Sequence, residues 1–444
     1  MQKICLTLPT NRECAATISA VAQEAAEAAG RFGAEVHLLI LDSSEPGDRA
    51  AHSRAIEEIP AHSGVVVHHL DEQRQREFLR EVIHRADAPK SELLLDLMLP
   101  AGVSYGACTN RAFLIAAALG CASTHRRDSD SRYQSLDGEP VHPLVQELTF
   151  LGRRAADAVP DATTSTLTDD DLTKPISLVA ASFVGELSVD IAEIEEQDPA
   201  AYHDLVSLWG PADLTDEEKA RLVAESFRGA GHTPFAGDDS LLSRVDPMHV
   251  DMCNTAFHHD VYESVPLPPA VDTIGSDYFL FHTLQCATLP GVRHNRNIVN
   301  YYTAERRTDA GFAAYHVRYV KFLLSMLYFN TVYDRMEQAG SGLLDADLRL
   351  RAGTIAGFVR DSAGLDRAEN TGRLDTLDRA YRRLGGRYTD VADLLQARGP
   401  ALLDEAQADI EDFALLLENW APLVRASRST AVPRTDPRRE RTGG

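Results

Sequence analysis

Cysteine is sparse in this chain and follows no pattern. The six residues, Cys5, Cys14, Cys108, Cys121, Cys253 and Cys286, are scattered, with no C-x-x-C pair. That excludes a zinc ribbon and a disulfide framework, and most of them sit in apolar settings that suit small core residues. Positive charge is also short: 44 Lys and Arg stand against 67 Asp and Glu, a net charge of −23. A basic surface for nucleic acid is excluded, and an acidic surface repels anionic lipid. Long apolar runs are missing. The most apolar helical stretch, Phe322 to Val332, is too short to span a bilayer and follows Arg318 and Lys321. No signal peptide is expected, because Met1-Gln2-Lys3 runs directly into a strand-like segment. No internal repeat is visible. The expectation is a soluble, cytoplasmic protein with no nucleic-acid and no membrane partner.

What is present is an alternation of strands and helices. Lys3 to Leu8, Glu35 to Leu41 and Val65 to Leu70 are short apolar runs rich in β-branched residues. Between and after them, Glu13 to Phe32, Asp48 to Ile59 and Glu72 to Ala86 have helical periodicity. A β-α-β-α-β order predicts a mostly parallel sheet with right-handed crossovers, hence an α/β fold. A very apolar helix follows at Ala112 to Leu119, then a weak strand at Cys121 to Arg127. Further on, Ile176 to Val189 reads as one long strand or a hairpin, and His249 to Val265 as a helix. From about Phe312 the chain reads as helical, and its tail from Ser427 as disordered.

The chemistry is expected at Cys121 to Asp130, which ends in Asp128-Ser129-Asp130. Two carboxylates one residue apart can reach one divalent cation, and Mg²⁺ and Mn²⁺ prefer oxygen ligands shared with substrate phosphates. Asp-x-Asp is also common in surface turns. Position favours the functional reading: the pair follows three β-α units, and open α/β sheets bind ligands at the carboxyl ends of their strands.

Taken together, the pattern resembles the nucleotide-sugar-dependent glycosyltransferases of the GT-A fold, as a divergent branch. Four stretches carry the likeness: Pro9-Thr10-Asn11-Arg12 after the first strand, Asp42-Ser43-Ser44 after the second, Gly106 with Asn110-Arg111, and Asp128-Ser129-Asp130. Cys253-Asn254-Thr255-Ala256-Phe257 looks like a stretch of the family's acceptor half. The resemblance implies a Rossmann-like catalytic domain over 1–305, with a nucleotide-binding half at 1–133 and an acceptor half at 134–305. A helical extension at 306–426 and the tail at 427–444 follow. It implies that Pro9, Thr10, Asn11, Arg12, Asp42, Ser43, Asn110 and Arg111 touch the donor, and Arg127, beside the acidic pair, is expected to join them. Asp128, Asp130 and His294 would hold Mn²⁺ or Mg²⁺, and Asp277 would be the base of an inverting reaction.

Each of these residues has a plainer reading beside the functional one. Asp42 could be a turn or N-cap residue, and Asp277 a cap for the helix that follows it. Arg126, Arg127 and Arg132 could clamp a phosphate, or could be solvated charges or partners of the two aspartates. His294 lies in an Arg-His-Asn-Arg run that could equally contact phosphate. The expected reaction moves a sugar from a UDP-, GDP- or dTDP-sugar to a small soluble acceptor, as in specialised-metabolite biosynthesis. A homodimer could form through the helical C-terminal region. Two alternatives stay open. One is a nucleotidyltransferase, although the loop Leu8 to Arg12 has no glycine to cradle a triphosphate. The other is a catalytically inactive scaffold that serves as a partner protein.

Overall fold

The computed structural model describes residues 1–186, 191–276, 278–300 and 308–433. The chain opens with β1 (Lys3–Thr10), α1 (Ala15–Phe32), β2 (Glu35–Asp42), α2 (Pro46–Glu57), β3 (Val65–Asp71), α3 (Glu72–Arg85), α4 (Ser91–Met98), α5 (Tyr105–Leu119) and β4 (Ser123–Arg127). Small elements come next: β5 (Arg132–Tyr133), β6 (Ser135–Leu136), β7 (Glu139–Pro140), α6 (Leu144–Phe150), α7 (Ala155–Ala158), β8 (Thr164–Ser165), β9 (Leu178–Ala180) and β10 (Phe183–Gly185). The middle of the chain adds α8 (Ala192–Gln197), α9 (Pro199–Val206), α10 (Asp216–Glu225), β11 (Ser240–Arg244), β12 (Asn254–His258), α11 (His259–Tyr262), α12 (Tyr278–Cys286), β13 (Pro290–His294) and β14 (Ile298–Asn300). Four long helices close it: α13 (Asp309–Ala339), α14 (Ala352–Ser362), α15 (Ala368–Leu384) and α16 (Arg387–Ser427).

The main sheet has nine strands among the described residues, in the order β3-β2-β1-β4-β12-β9-β13-β11-β8. β3, β2, β1 and β4 are parallel, and β12 enters antiparallel to both β4 and β9. The expected mostly parallel α/β sheet with helices on its flanks and a helical C-terminal region is therefore present. β1, β2 and β4 are buried on both faces, as parallel strands usually are, whereas the edge strand β3 leaves Val66 exposed. Side chains alternate between faces along each strand. Ile4, Leu6 and Leu8 of β1 join Val36, Leu38 and Ile40 of β2 under α1. Cys5, Leu39 and Leu41 face the other way, into a core that runs on through α3, α5, α12 and the four C-terminal helices without a break. Trp420 of α16 donates its indole N–H to the Tyr262 carbonyl at 3.0 Å, tying that helix to the sheet side.

Two segments depart from the sequence reading. The expected helix at His249 to Val265 is a turn, the strand β12 and one helical turn, α11. Asn254, Thr255, Ala256 and Phe257 are all buried because the strand fills the slot between β4 and β9. Ile176 to Val189 holds two three-residue strands in different sheets: β9 belongs to the main sheet, and β10 pairs with β14.

Candidate functional site

Register sets the site. Thr10 pairs with Asp42 and Asp42 with Asp71, so the loops after β1, β2 and β3 leave the sheet at one level. A cavity of about 450 Å³ opens there. Pro9, Thr10, Asn11 and Arg12 line it, with Ser43, Arg111, Asp128 and Asp130. The Thr10 hydroxyl donates to the Arg12 carbonyl at 2.8 Å, which shapes the first loop into a turn.

The acidic pair is in the wall, each side chain about a quarter exposed. Arg126 lies beside Asp128, its Nη2 at 2.9 Å and its Nε at 3.1 Å from Oδ1. Arg12 stands 3.8 Å from Asp130. A third carboxylate, Asp251, lines the same cavity. It accepts from the Cys253 backbone N–H at 3.1 Å. Burial pushes the Cys253 thiol well up, and the charges of Asp251, Asp128 and Asp130 push the same way. Three carboxylates therefore line one cavity and act on one thiol, although their oxygens do not all come within 4.8 Å of one another. Such a set of hard oxygen donors suits Mg²⁺ or Mn²⁺. The sequence reading missed Asp251, although it stands two residues before the Cys253-Asn254 stretch that was singled out.

Other expected site residues lie elsewhere. His294 is buried outside this wall, its Nδ1 accepting from the Arg296 backbone at 3.2 Å. Burial pushes its imidazole down to about 4, against the pull of Glu147. Arg127 is fully buried behind the cavity. Its guanidinium reaches Glu24 at 2.8 and 3.0 Å and Glu147 at 3.0 Å. Asp42 is fully buried as well. Nδ1 of His52 and Nε2 of His69 each donate to its Oδ2 at 2.8 Å, and the Ser44 N–H donates to Oδ1 at 2.9 Å. Burial alone would raise this carboxyl; those donors outweigh it and hold the group well below its usual range. Nε2 of His52 in turn accepts from the Cys14 N–H at 2.9 Å, so Asp42 braces the first loop from behind. Asn110 clamps the proline-rich connector: its Nδ2 donates to the Leu267 carbonyl and its Oδ1 accepts from the Leu267 N–H, both at 2.8 Å. Asp277 lies outside the described residues; Ile274, Gly275 and Tyr278 around it line the cavity.

Arg111 differs from the other arginines. It is buried, lines the cavity, and donates one N–H to the Met98 carbonyl. Its Nε has no hydrogen-bond partner. Burial pushes its guanidinium down, against the weaker opposing pull of Cys108 and Glu72. A buried cation at a cavity wall calls for an anion from outside.

One group of three metal-type ligands has its ligand atoms within 4.8 Å of one another among the described residues: His258, His259 and Asp260. It belongs to another place. His258 pairs with Ser123 at the start of β4, whereas Asn254 pairs with Arg127 at its end, beside the cavity. Asp260 is also engaged by Arg349 at 3.2 Å.

The class defined by sheet and cavity is a mixed α/β protein with an acidic, arginine-rimmed cleft at the carboxyl edge of its parallel strands. The chain belongs to the family described as "Family of unknown function (DUF6271)", whose model matches residues 2–436. A comparison with curated proteins gives no match. Among solved structures the chain is similar to the mannosyltransferase PcManGT from Pyrobaculum calidifontis in complex with GDP-Man and Mn²⁺, at 12% identity and a TM-score of 0.36, covering 94% of this chain and 86% of that one. It is similar to a mycobacterial protein at 16% identity and a TM-score of 0.31, over 73% and 74%. It is also similar to S. aureus TarS at 9% identity and a TM-score of 0.31, over 94% and 90%. Likenesses this distant settle nothing about chemistry, which is read from the cavity.

Proposed function

We propose that the protein is a metal-dependent glycosyltransferase that moves a sugar from a UDP-, GDP- or dTDP-sugar to a small acceptor. The observation that carries this reading is the meeting of opposite charges in one cavity, which is lined by Asp128, Asp130 and Asp251 together with the buried Arg111, whose Nε has no hydrogen-bond partner. A diphosphate bridged to a divalent cation satisfies both. It also answers the repulsion that a chain of net charge −23 would exert on a free phosphate ligand. In this reading Asp128, Asp130 and Asp251 hold Mn²⁺ or Mg²⁺, and Arg111 with Arg12 faces the diphosphate. The chemistry such an ion supplies when bound is neutralisation of the charge that develops on the departing diphosphate. Pro9, Thr10, Asn11 and Ser43 contact the nucleoside. Asp42, Asn110 and Arg127 act through the backbone they hold rather than by touching the donor, and His294 takes no part in the metal. Asp277, next in the chain to residues of the wall, is the proposed base. No described helix is long and apolar enough to cross a membrane, and the proposed setting is cytoplasmic biosynthesis of a specialised metabolite. The proposed assembly is a homodimer through the helical region.

Thermal shift tests the reading. UDP, GDP or dTDP with Mn²⁺, at a hundred times its dissociation constant, stabilises the protein by about 2.7 kcal/mol. Asp128→Ala and Asp251→Ala each remove the Mn²⁺-dependent part. A response to nucleoside triphosphates in preference to diphosphates would turn the assignment to a nucleotidyltransferase. Silence toward every nucleotide would leave a scaffold and end the proposal.

A further inference from the structure

The far wall of the cavity is built by the helical region, and its chemistry differs from the donor side. Tyr315, Arg318 and Phe322 follow one another at i, i+3 and i+7 on one face of α13, and all three line the cavity. Phe183 from β10, Phe227 and Tyr278 stand in the same wall. Three of these rings, Phe227, Tyr278 and Phe322, share a partner. Trp209, buried behind them, stacks on Phe227 at 4.9 Å between centroids and meets Tyr278 at 4.8 Å and Phe322 at 5.6 Å edge-on. Gly275 presses on the same ring: a Cβ there would fall 2.5 Å from Cε2 of Phe322. Phe183, Phe227 and Phe322 bring no hydrogen-bonding group to this wall, whereas Tyr278, Tyr315 and Arg318 each bring one.

That composition discriminates between acceptors. A polyol needs a partner for every hydroxyl it buries, and Phe183, Phe227 and Phe322 offer none. A planar aromatic ring forfeits no hydrogen bond there and gains edge-to-face contacts. We propose that the acceptor is a hydroxylated aromatic compound, its ring laid against Phe322, Phe227, Phe183 and Tyr278. This names the substrate class of the transferase proposed above and rests on that reading. In the transfer, the phenolic oxygen bonds to the anomeric carbon of the sugar. The bond from that carbon to the diphosphate oxygen breaks, the nucleoside diphosphate leaves, and the phenolic proton passes to the base.

The test uses the full chain and 4-methylumbelliferone as the probe, titrated by fluorescence with GDP or UDP and Mn²⁺ present. Glucose and glycerol serve as polar comparators. Nucleotide thermal shift is read on the same samples. The expected result is saturable binding of the probe, weakened about two- to tenfold in Phe322→Leu, with glucose and glycerol failing to compete. Tyr278→Leu, on the same wall, gives a second reading should Phe322→Leu not fold. Probe binding that is absent, or equal in wild type and variants, overturns the inference even where nucleotide with Mn²⁺ stabilises the protein. Probe binding without any nucleotide response keeps the aromatic site and removes the transferase reading beneath it.

Discussion

Replacing Gly106 with alanine sets two effects against each other. Gly106 is the second residue of α5, and alanine is the better helix former there by up to about 1 kcal/mol. A Cβ at that position, however, would fall 1.8 Å from the Pro268 carbonyl oxygen and 2.8 Å from its carbon. Both are backbone atoms, so no rotamer change relieves the clash. The connector must move away from α5. Three hydrogen bonds resist: Ser104 Oγ to the Pro269 carbonyl at 2.9 Å, and the two 2.8 Å bonds between Asn110 and Leu267. Each is worth about 1 kcal/mol, and an Asn110 left buried without its partners loses about 1–3 kcal/mol more. The net prediction is a loss of about 2–4 kcal/mol, read as a lowered midpoint in urea at unchanged slope. Gly372→Ala is the control. It lies exposed in α15 with nothing within 4 Å of the added carbon, and should gain up to about 1 kcal/mol. A Gly106→Ala protein as stable as wild type would refute both the close approach and the clamping role given to Asn110.

Two other measurements follow from buried charge. Arg127→Met leaves the fully buried Glu24 and Glu147 without their shared cation. Stability at pH 7 should fall by about 3–5 kcal/mol, and a drop below about 1 kcal/mol would contradict the network as described. His294 is held neutral by burial, down to about 4, among Glu147, Arg127, Arg296 and Asp238. Its unfolded value is about 6.5, so between the two the unfolded chain binds the extra proton and stability declines as pH falls from about 6.5 toward 4. His294→Gln should flatten part of that slope; identical slopes in the two proteins would count against the burial argument.

Much of the carboxylate side of the cavity was legible because its signals are local. Lys3 to Leu8, Glu35 to Leu41 and Val65 to Leu70 carry enough apolar character to declare parallel strands, and the place of Asp128 and Asp130 after them follows from topology alone. What was not legible depends on distant partners. Asp42 looks like a ligand because it ends a strand, yet His52 from α2 and His69 from β3 close around it. Asp251 hid because β12 enters the sheet from far along the chain, and its apolar spacing imitates a helix. The aromatic face of α13 reads as ordinary core, since nothing in its spacing distinguishes Phe322, which borders a cavity, from Phe329, which does not.

The unbroken core between sheet and C-terminal helices governs how the gene can be cut. A truncation before residue 309 would keep every strand of the main sheet but strip Tyr315, Arg318 and Phe322 from the cleft. It would also bare the apolar flank formed by α3, α5 and α12. Such a fragment would be a trough open along one side, with a greasy back inviting self-association. The helices are better regarded as the second half of a mould than as an appendage, and fusion partners belong at the ends of the chain rather than at the sheet–helix junction.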